Sequence, residues 1–226
     1  MSTTSPPLTS ASPLGGDSAR LQRLKNQPRG PGEASFFFHD AHFKCEAVRV
    51  LPGEYFVDSE DTLIVTTLGS CIAACLWDRD ARIGGMNHFM LPDGIDGGGA
   101  SGRYGSYAME LLINQMMKRG ASRLSLEAKV FGGGQIISGL GGTSSLNVGE
   151  HNTAFVLDYL KAERIPVVSR DVLGPHPRKV CFLPASGKAM VKRLGQMNTD
   201  RLLAQERSAA RQPTPQAAGA GSVDLF

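Results

Sequence analysis

The 226-residue sequence lacks several features that mark whole classes of protein. It has no run of about 20 apolar residues, the length that a membrane-spanning helix requires, and its start lacks the basic and apolar segments of a signal peptide. We therefore expect a cytoplasmic protein without direct membrane insertion. Cysteines are too few and too scattered for a disulfide framework, and a reducing cytoplasm would keep them as thiols. The four are Cys45, Cys71, Cys75 and Cys181.

A basic excess is also missing from the centre of the chain. The formal net charge is +3, but residues 1–32 carry +3, residues 201–226 carry +1, and the stretch between them carries −1. Proteins that bind nucleic acid need a basic surface to neutralise phosphates. We therefore expect no nucleic-acid partner.

What remains is a globular composition, with 41% hydrophobic and 20% charged residues. This length suits one good-sized core. Residues 1–32 and 201–226 are rich in small, polar and proline residues, which is typical of flexible tails around a folded domain at 33–200.

The apolar pattern of this domain mixes strands and helices. Helical spacing predicts helices over 104–120 and 151–164, and β-branched or alternating stretches predict strands. We expect an α/β fold, a single-domain layered sandwich with mixed β-sheets and flanking helices. The predicted strands are LIVTTL (63–68), CIAACLW (71–77), IGGMNHFML (83–91), RLSLEAKVFGG (123–133), IPVVSRDV (165–172) and RKVCFLPAS (178–186).

Cys71 and His88 form the candidate catalytic pair. If their strands form an antiparallel hairpin with a loop at 78–81, Trp77 pairs with Arg82, and Cys71 lies opposite His88. A free thiol with a pKa of about 8.5 is a weak nucleophile at neutral pH, and a neighbouring imidazole stabilises its thiolate. This pairing does not establish catalysis by itself. A one-residue slip would separate the two faces, and both residues also fit an ordinary core.

Two neighbouring features have simpler interpretations. Cys75 lies four residues after Cys71, about 13 Å along a strand, so the two thiols cannot share one zinc ion. We expect no metal and no cofactor, because the chemistry expected of Cys71 and His88, acyl transfer by a thiolate and an imidazole, needs neither.

The run Gly132–Gly134 lacks the pattern of a phosphate-binding loop. We expect it to let the backbone pass close to the turn before Cys71.

The segments TTLGSCIAACLWD (66–78) and IGGMNHFMLP (83–92) closely resemble the signature of the chemoreceptor glutamine deamidase family, CheD. The resemblance continues through SGRYGSYAMELLINQMMKRGA (101–121), LEAKVFGGG (126–134) and NVGEHN (147–152), and spans about residues 45–195. It implies that Cys71 is the nucleophile, that His88 is the general base, and that a threonine just upstream orients the imidazole. Thr66 and Thr67 are both candidates, and we favour Thr66, whose side chain should share a strand face with Ile64 and Leu68.

The same resemblance implies an activity and partners. The implied reaction converts glutamine side chains in the cytoplasmic domains of methyl-accepting chemoreceptors to glutamate, with some activity on glutamate methyl esters. A CheC-like phosphatase is an implied second partner. The alternatives are a non-catalytic adaptor that binds receptors or that phosphatase, and a cysteine peptidase. Asn87, Tyr104 and Asn147 lie in the resembling stretches and either line the site or form hydrogen bonds in the core.

Overall fold

A computed structural model of the protein describes residues 17–91, 100–135 and 148–195. In chain order its elements are α1 (Ala19–Asn26), β1 (Phe36–Asp40), β2 (Cys45–Arg49), β3 (Tyr55–Asp58), β4 (Leu63–Leu68), β5 (Ile72–Asp78), β6 (Ile83–Asn87), α2 (Ala100–Lys118), a 3₁₀ turn (Arg123–Ser125), β7 (Leu126–Gly132), α3 (Val148–Ala162), β8 (Val167–Val172), β9 (Arg178–Leu183) and β10 (Lys188–Arg193). Asn147 and the predicted tail at 201–226 lie outside the described residues. In the described part of the chain, no helix is long and apolar enough to cross a bilayer.

The strands form two mixed sheets of five strands each. The outer sheet has the order β1-β2-β4-β9-β10, and the central sheet has the order β3-β6-β5-β7-β8. The pairs β2–β4 and β7–β8 are parallel, and the other neighbours are antiparallel. The predicted α/β layered sandwich with mixed sheets is therefore confirmed. Strands β1, β2, β3 and β10 were not predicted.

Two apolar cores hold these layers together. The first lies between the two sheets and includes Ile64 and Leu68 of β4 with Ala73 and Cys75 of β5. The second lies between the central sheet and helices α2 and α3, where Leu112 is fully buried. Burying one such leucine contributes about 1.5–3 kcal/mol. Strands β5 and β6 of the central sheet are thus covered on both faces and are almost entirely buried, so a polar side chain there is removed from water.

Helix α1 lies within the stretch predicted as an N-terminal tail. Ser18 caps the helix, because its hydroxyl oxygen accepts a hydrogen bond of 3.0 Å from the N–H of Leu21. Leu21 is only 1% exposed and belongs to the core between the sheets, with Phe37 and Phe56. The folded part of the chain therefore begins before residue 33, because Leu21 and the partly buried Leu24 pack on this core and Arg20 pairs with nearby carboxylates.

The β5–β6 hairpin differs in register from the prediction. Asp78 pairs with Ile83 and Trp77 pairs with Gly84, so the predicted Trp77–Arg82 pair is wrong. The loop covers residues 79–82. The Asp78 carboxylate accepts hydrogen bonds of 2.9 and 3.0 Å from the backbone N–H groups of residues 80 and 81. This side-chain turn fixes the end of β5 one residue later than predicted.

The observed register still keeps Cys71 and His88 on one face of the central sheet. Beyond the hairpin, Ile72 and Phe89 exchange two backbone hydrogen bonds of 2.9 Å each, which continues the same pairing. Cys71 is therefore opposite Met90, and His88 is two residues away from that position. Because side chains alternate with a period of two, a partner shift of two residues preserves the face.

Candidate active site

Strand β4 places Thr66 at the centre of the outer sheet. Thr66 lies opposite Val180 of β9 and is 1% exposed, with its hydroxyl against the imidazole of His88 from the central sheet. Thr67 is the next residue along the strand and pairs with Lys179. Successive side chains of a strand point to opposite faces, so Thr67 faces away from the central sheet. The structure thus brings Thr66, and not Thr67, to His88.

Hydrogen bonding around Thr66 fixes the tautomer of His88. The Thr66 hydroxyl donates to the carbonyl oxygen of Val50 at 2.7 Å, and its oxygen lies 2.9 Å from His88 Nδ1. A hydroxyl has one proton, so the oxygen must accept from Nδ1–H. The Val50 carbonyl oxygen, 3.4 Å from Nδ1, can also only accept. The proton therefore sits on Nδ1, and the lone pair that can act as a base is on Nε2.

Cys71 is fully buried and follows a tight turn between β4 and β5. We call residues 69–71 the Cys71 turn. Each of its three carbonyl oxygens accepts a hydrogen bond from outside the turn. The Gly69 oxygen accepts from Gly134 N at 2.7 Å, the Cys71 oxygen from Gly133 N at 2.8 Å, and the Ser70 oxygen from Asn152 Nδ2 at 2.9 Å. The turn is held by the end of β7 and by α3.

The glycine run after β7 allows this close approach. Gly132 and Gly133 have φ angles of +115° and +65°, in the region that favours glycine. A Cβ atom on Gly132 would collide with the Cys71 carbonyl oxygen, and one on Gly133 would collide with Thr153 of α3. The prediction that these glycines let the backbone pass close to the Cys71 turn is confirmed.

Asn87 precedes His88 but points to the other face of the central sheet. Its amide oxygen accepts from Ala74 N at 3.0 Å, and its amide nitrogen donates to the Ala108 carbonyl oxygen of α2 at 3.1 Å. Asn87 is 1% exposed. It therefore anchors the strand that carries His88, in agreement with the core hydrogen-bonding role that the sequence left open.

Tyr104 of α2 lies near the pair. Burial raises the pKa of the Tyr104 phenol, and negative charge at Cys71 would raise it further. Its hydroxyl also lies beside Gly53, whose N–H donates a 2.7 Å hydrogen bond to the His88 carbonyl oxygen. This places Tyr104 within electrostatic reach of Cys71, as expected for a residue that lines the site.

The other three cysteines have environments that keep them protonated. Burial raises the pKa of the Cys75 thiol far above its usual value, and the charge of Lys129 only partly opposes this. Burial likewise raises the pKa of Cys45 and Cys181. Across the described ranges, no cluster of three or more His, Cys, Asp or Glu side chains could hold a metal ion.

Asn152 is a residue of the site region that sequence reasoning missed. It lies on α3 among the buried residues Gly149, Thr153, Val156 and Leu160, and is itself 0% exposed. A buried amide needs hydrogen-bond partners. The position of Asn152 on the apolar stripe of a predicted helix could therefore have indicated a buried amide with specific hydrogen-bond partners.

A family model and curated relatives that match this chain carry the same family name, CheD. The family model described as CheD chemotactic sensory transduction matches residues 90–193, a range that begins after Cys71 and His88. The chain is 58% identical over 214 residues to a probable chemoreceptor glutamine deamidase CheD 1 of Albidiferax ferrireducens, covering 94% of this chain and 89% of the relative. A probable chemoreceptor glutamine deamidase CheD of Thiobacillus denitrificans is 51% identical, over 85% of this chain and 96% of the relative. The solved structure of the hypothetical protein YfiH of Bacillus licheniformis is similar with a TM-score of 0.34 and 11% identity, over 53% of this chain and 51% of that chain. That likeness is too low to inform the fold or the site.

Proposed function

This chain belongs to the CheD family, and we propose that it hydrolyses glutamine side-chain amides of methyl-accepting chemoreceptors to glutamate. The names of its relatives supply the substrate, since they are chemoreceptor glutamine deamidases at 58% and 51% identity over most of both chains. We propose further that the reaction uses Cys71, His88 and Thr66. The observation that carries this assignment is the buried contact between Thr66 and His88 Nδ1, which leaves Nε2 as the base.

The first half of the reaction forms a thioester. His88 Nε2 takes the proton from the Cys71 thiol, and the thiolate attacks the carboxamide carbon of the glutamine. The tetrahedral intermediate collapses when the C–N bond breaks and the imidazolium returns the proton to the departing nitrogen. The products are ammonia and a glutamyl thioester on Cys71.

The second half repeats the chemistry with water. His88 Nε2 accepts a proton from a water molecule, whose oxygen attacks the thioester carbon. The C–S bond breaks, and the proton returns to the sulfur, which leaves glutamate and the free thiol. Thr66 keeps the Nδ1 proton in place through both halves, the part that the third member of a catalytic triad performs.

The same acyl chemistry would accept a glutamate methyl ester, with methanol as the leaving group in place of ammonia. We include this ester activity in the proposal because the thioester and its hydrolysis are identical for both substrates. Cys71 is fully buried, so either side chain must extend into the site from the receptor surface. The long side chain of glutamine on an exposed receptor helix suits this requirement.

A non-catalytic adaptor is the competing function. An adaptor would need a receptor-binding surface, but it would not need a buried threonine that fixes the tautomer of a histidine. Binding to a CheC-like phosphatase is compatible with either function and stays a prediction.

A receptor cytoplasmic fragment with intact glutamines tests the proposal. We expect the protein to convert specific glutamines to glutamate, detected by peptide mass spectrometry, and Cys71→Ala to abolish the conversion. Cys75→Ala is the matched control, because it removes a buried thiol from the same strand without touching the proposed chemistry. Unchanged receptor peptides with the native protein would contradict the deamidase assignment. Receptor binding in that case would favour the adaptor. Full activity of Cys71→Ala would contradict the mechanism alone.

A further inference from the structure

The side-chain amide of Asn152 connects the segments on either side of the Cys71–His88 pair. Its nitrogen donates to the Ser70 carbonyl oxygen at 2.9 Å, directly before Cys71. Its oxygen accepts from the Leu91 N–H at 2.8 Å, three residues after His88. One planar group thus spans both strands that carry the proposed nucleophile and base.

This amide stands where a strand-to-strand hydrogen bond would otherwise form. Ile72 and Phe89 exchange both of their backbone hydrogen bonds. In an antiparallel ladder the next such pair lies two residues along each strand, which is Ser70 with Leu91. There the Leu91 N–H would donate directly to the Ser70 oxygen. The Asn152 amide is interposed between these two atoms, so the ladder is separated beside Cys71 while the Leu91 N–H and the Ser70 oxygen both keep a hydrogen-bond partner.

We propose that Asn152 is a positioning residue that sets the distance between Cys71 and His88 by holding their strands apart at the Ser70–Leu91 pair. This inference rests on the proposed function. Asn152 is 0% exposed, and both functional ends of its amide are used by the backbone, so it acts through Cys71 and not on the substrate. Without it, the two strands can close into a direct ladder, or the Cys71 turn can move away from β6. Misplacing reacting groups by about 1 Å can reduce a rate by about 100-fold.

Two substitutions separate the parts of this role. Asn152→Asp keeps an acceptor for Leu91 N–H but loses the donor to the Ser70 oxygen, and Asn152→Ala loses both hydrogen bonds. The control is Thr62→Val. Thr62 is 0% exposed and makes two partly buried hydrogen bonds, to Asp58 at 2.6 Å and from Arg20 at 2.7 Å. Thr62 and Gly69 flank extended β4 and are about 23 Å apart. Thr62→Val therefore removes the same number of hydrogen bonds as Asn152→Ala, but far from the site.

The readouts are kcat and KM on the receptor fragment, the melting temperature, and the rate at which iodoacetamide alkylates each cysteine. Cys75 serves as an internal reporter of unfolding, because burial raises the pKa of its thiol, whereas Cys71 has His88 as its proposed base. We expect both Asn152 variants to lose at least about tenfold in kcat with KM unchanged within about twofold. We also expect slower alkylation of Cys71 with Cys75 still protected, and Thr62→Val to lower the melting temperature while keeping kcat.

The outcomes distinguish this inference from the proposed function. Native-like kcat and native-like Cys71 alkylation in Asn152→Ala would overturn the positioning role. Faster alkylation of Cys71 and Cys75 together would overturn it too, since that result reports general unfolding. If the native protein left receptor glutamines unchanged, the proposed function would fail, but the alkylation of Cys71 in the two Asn152 variants would still decide whether the amide positions the thiol.

Discussion

Replacing Thr66 by valine tests how the outer sheet contributes to catalysis. Valine has the shape of threonine without the hydroxyl, so Thr66→Val removes the acceptor 2.9 Å from His88 Nδ1 and the donor 2.7 Å from the Val50 oxygen. The Val50 oxygen stays as a second acceptor for Nδ1–H, at the longer distance of 3.4 Å. The imidazole therefore keeps its tautomer but loses its best orienting contact.

The expected magnitude follows from one net hydrogen bond. Such a bond contributes about 0.5–1.5 kcal/mol, and about 1.36 kcal/mol corresponds to a tenfold change in rate. We expect Thr66→Val to reduce kcat by about 3- to 10-fold, with KM little changed because the hydroxyl is buried against the imidazole. Loss of the hydrogen bond from the hydroxyl to the Val50 oxygen also costs about 0.5–1.5 kcal/mol of stability, so the melting temperature should fall.

The assay is receptor-fragment deamidation at saturating substrate, well below the melting temperature of each variant. Thr66→Ser keeps the hydroxyl and should stay within about twofold of the native kcat. Thr67→Val removes the neighbouring hydroxyl from the opposite face of β4 and should retain native kcat. A native rate in Thr66→Val, or an equal loss in Thr67→Val, would refute the reasoning that one buried contact orients the base.

Three further predictions concern the framework around the site. Asp171 is partly buried, which opposes ionisation, but hydrogen bonds and charge from Arg178 lower its pKa. Its carboxylate thus stabilises the fold above its unfolded pKa of about 3.9, and this contribution is lost as the pH falls through the folded pKa. Asp171→Asn should lower the melting temperature at pH 7, and equal destabilisation in strongly acidic buffer would contradict this. Gly133→Ala should reduce kcat by at least about tenfold, because its Cβ atom would collide with α3 and move the Cys71 turn; an unchanged kcat would show that the turn does not depend on that approach. Leu21→Ala should cost about 2–4 kcal/mol in urea denaturation, because Leu21 is 1% exposed, whereas exposed Arg23→Ala should cost little; equal values would mean that α1 does not stabilise the fold.

The sequence predicted which face Cys71 and His88 share, but it predicted their pairing incorrectly. The stretch at 78–82 is polar except for Ala81, so its pattern does not mark where the hairpin closes. The missing information was in the side chain of Asp78, which accepts two backbone N–H groups and ends the strand. Aspartate is favoured at the start of a turn for this reason. The prediction that both side chains share one face of the sheet stayed correct, because the observed register differs from the predicted one by an even number of residues.

The rest of the site depends on contacts between residues far apart in the chain. Asn152 forms a hydrogen bond with Ser70, which lies 82 residues earlier in the chain. Neither the apolar pattern of the helix that carries Asn152 nor that of the strands around Ser70 indicates that the two residues meet. Thr66 could be favoured over Thr67 from the alternation of β4. Its contact with an imidazole on the other sheet could not be predicted, because it depends on how two sheets pack. Strands β1, β2, β3 and β10 were not predicted either, because strands of four to six residues offer few positions from which a period of two can be recognised.

The Cys71 turn and the imidazole are held by different contacts. Gly133, beside Thr153 of α3, and Asn152 of α3 bind two carbonyl oxygens of the turn, and Gly134, beside His176 and Arg178, binds the third. Thr66 binds His88 from the outer sheet, across the apolar core. The proposed nucleophile is therefore held by the end of β7 and by α3, and the proposed base by a threonine of the outer sheet. All of these contacts are made by the chain's own backbone and side chains, so under the proposed function the binding energy of a receptor helix is available for placing the glutamine and not for assembling the proposed catalytic residues.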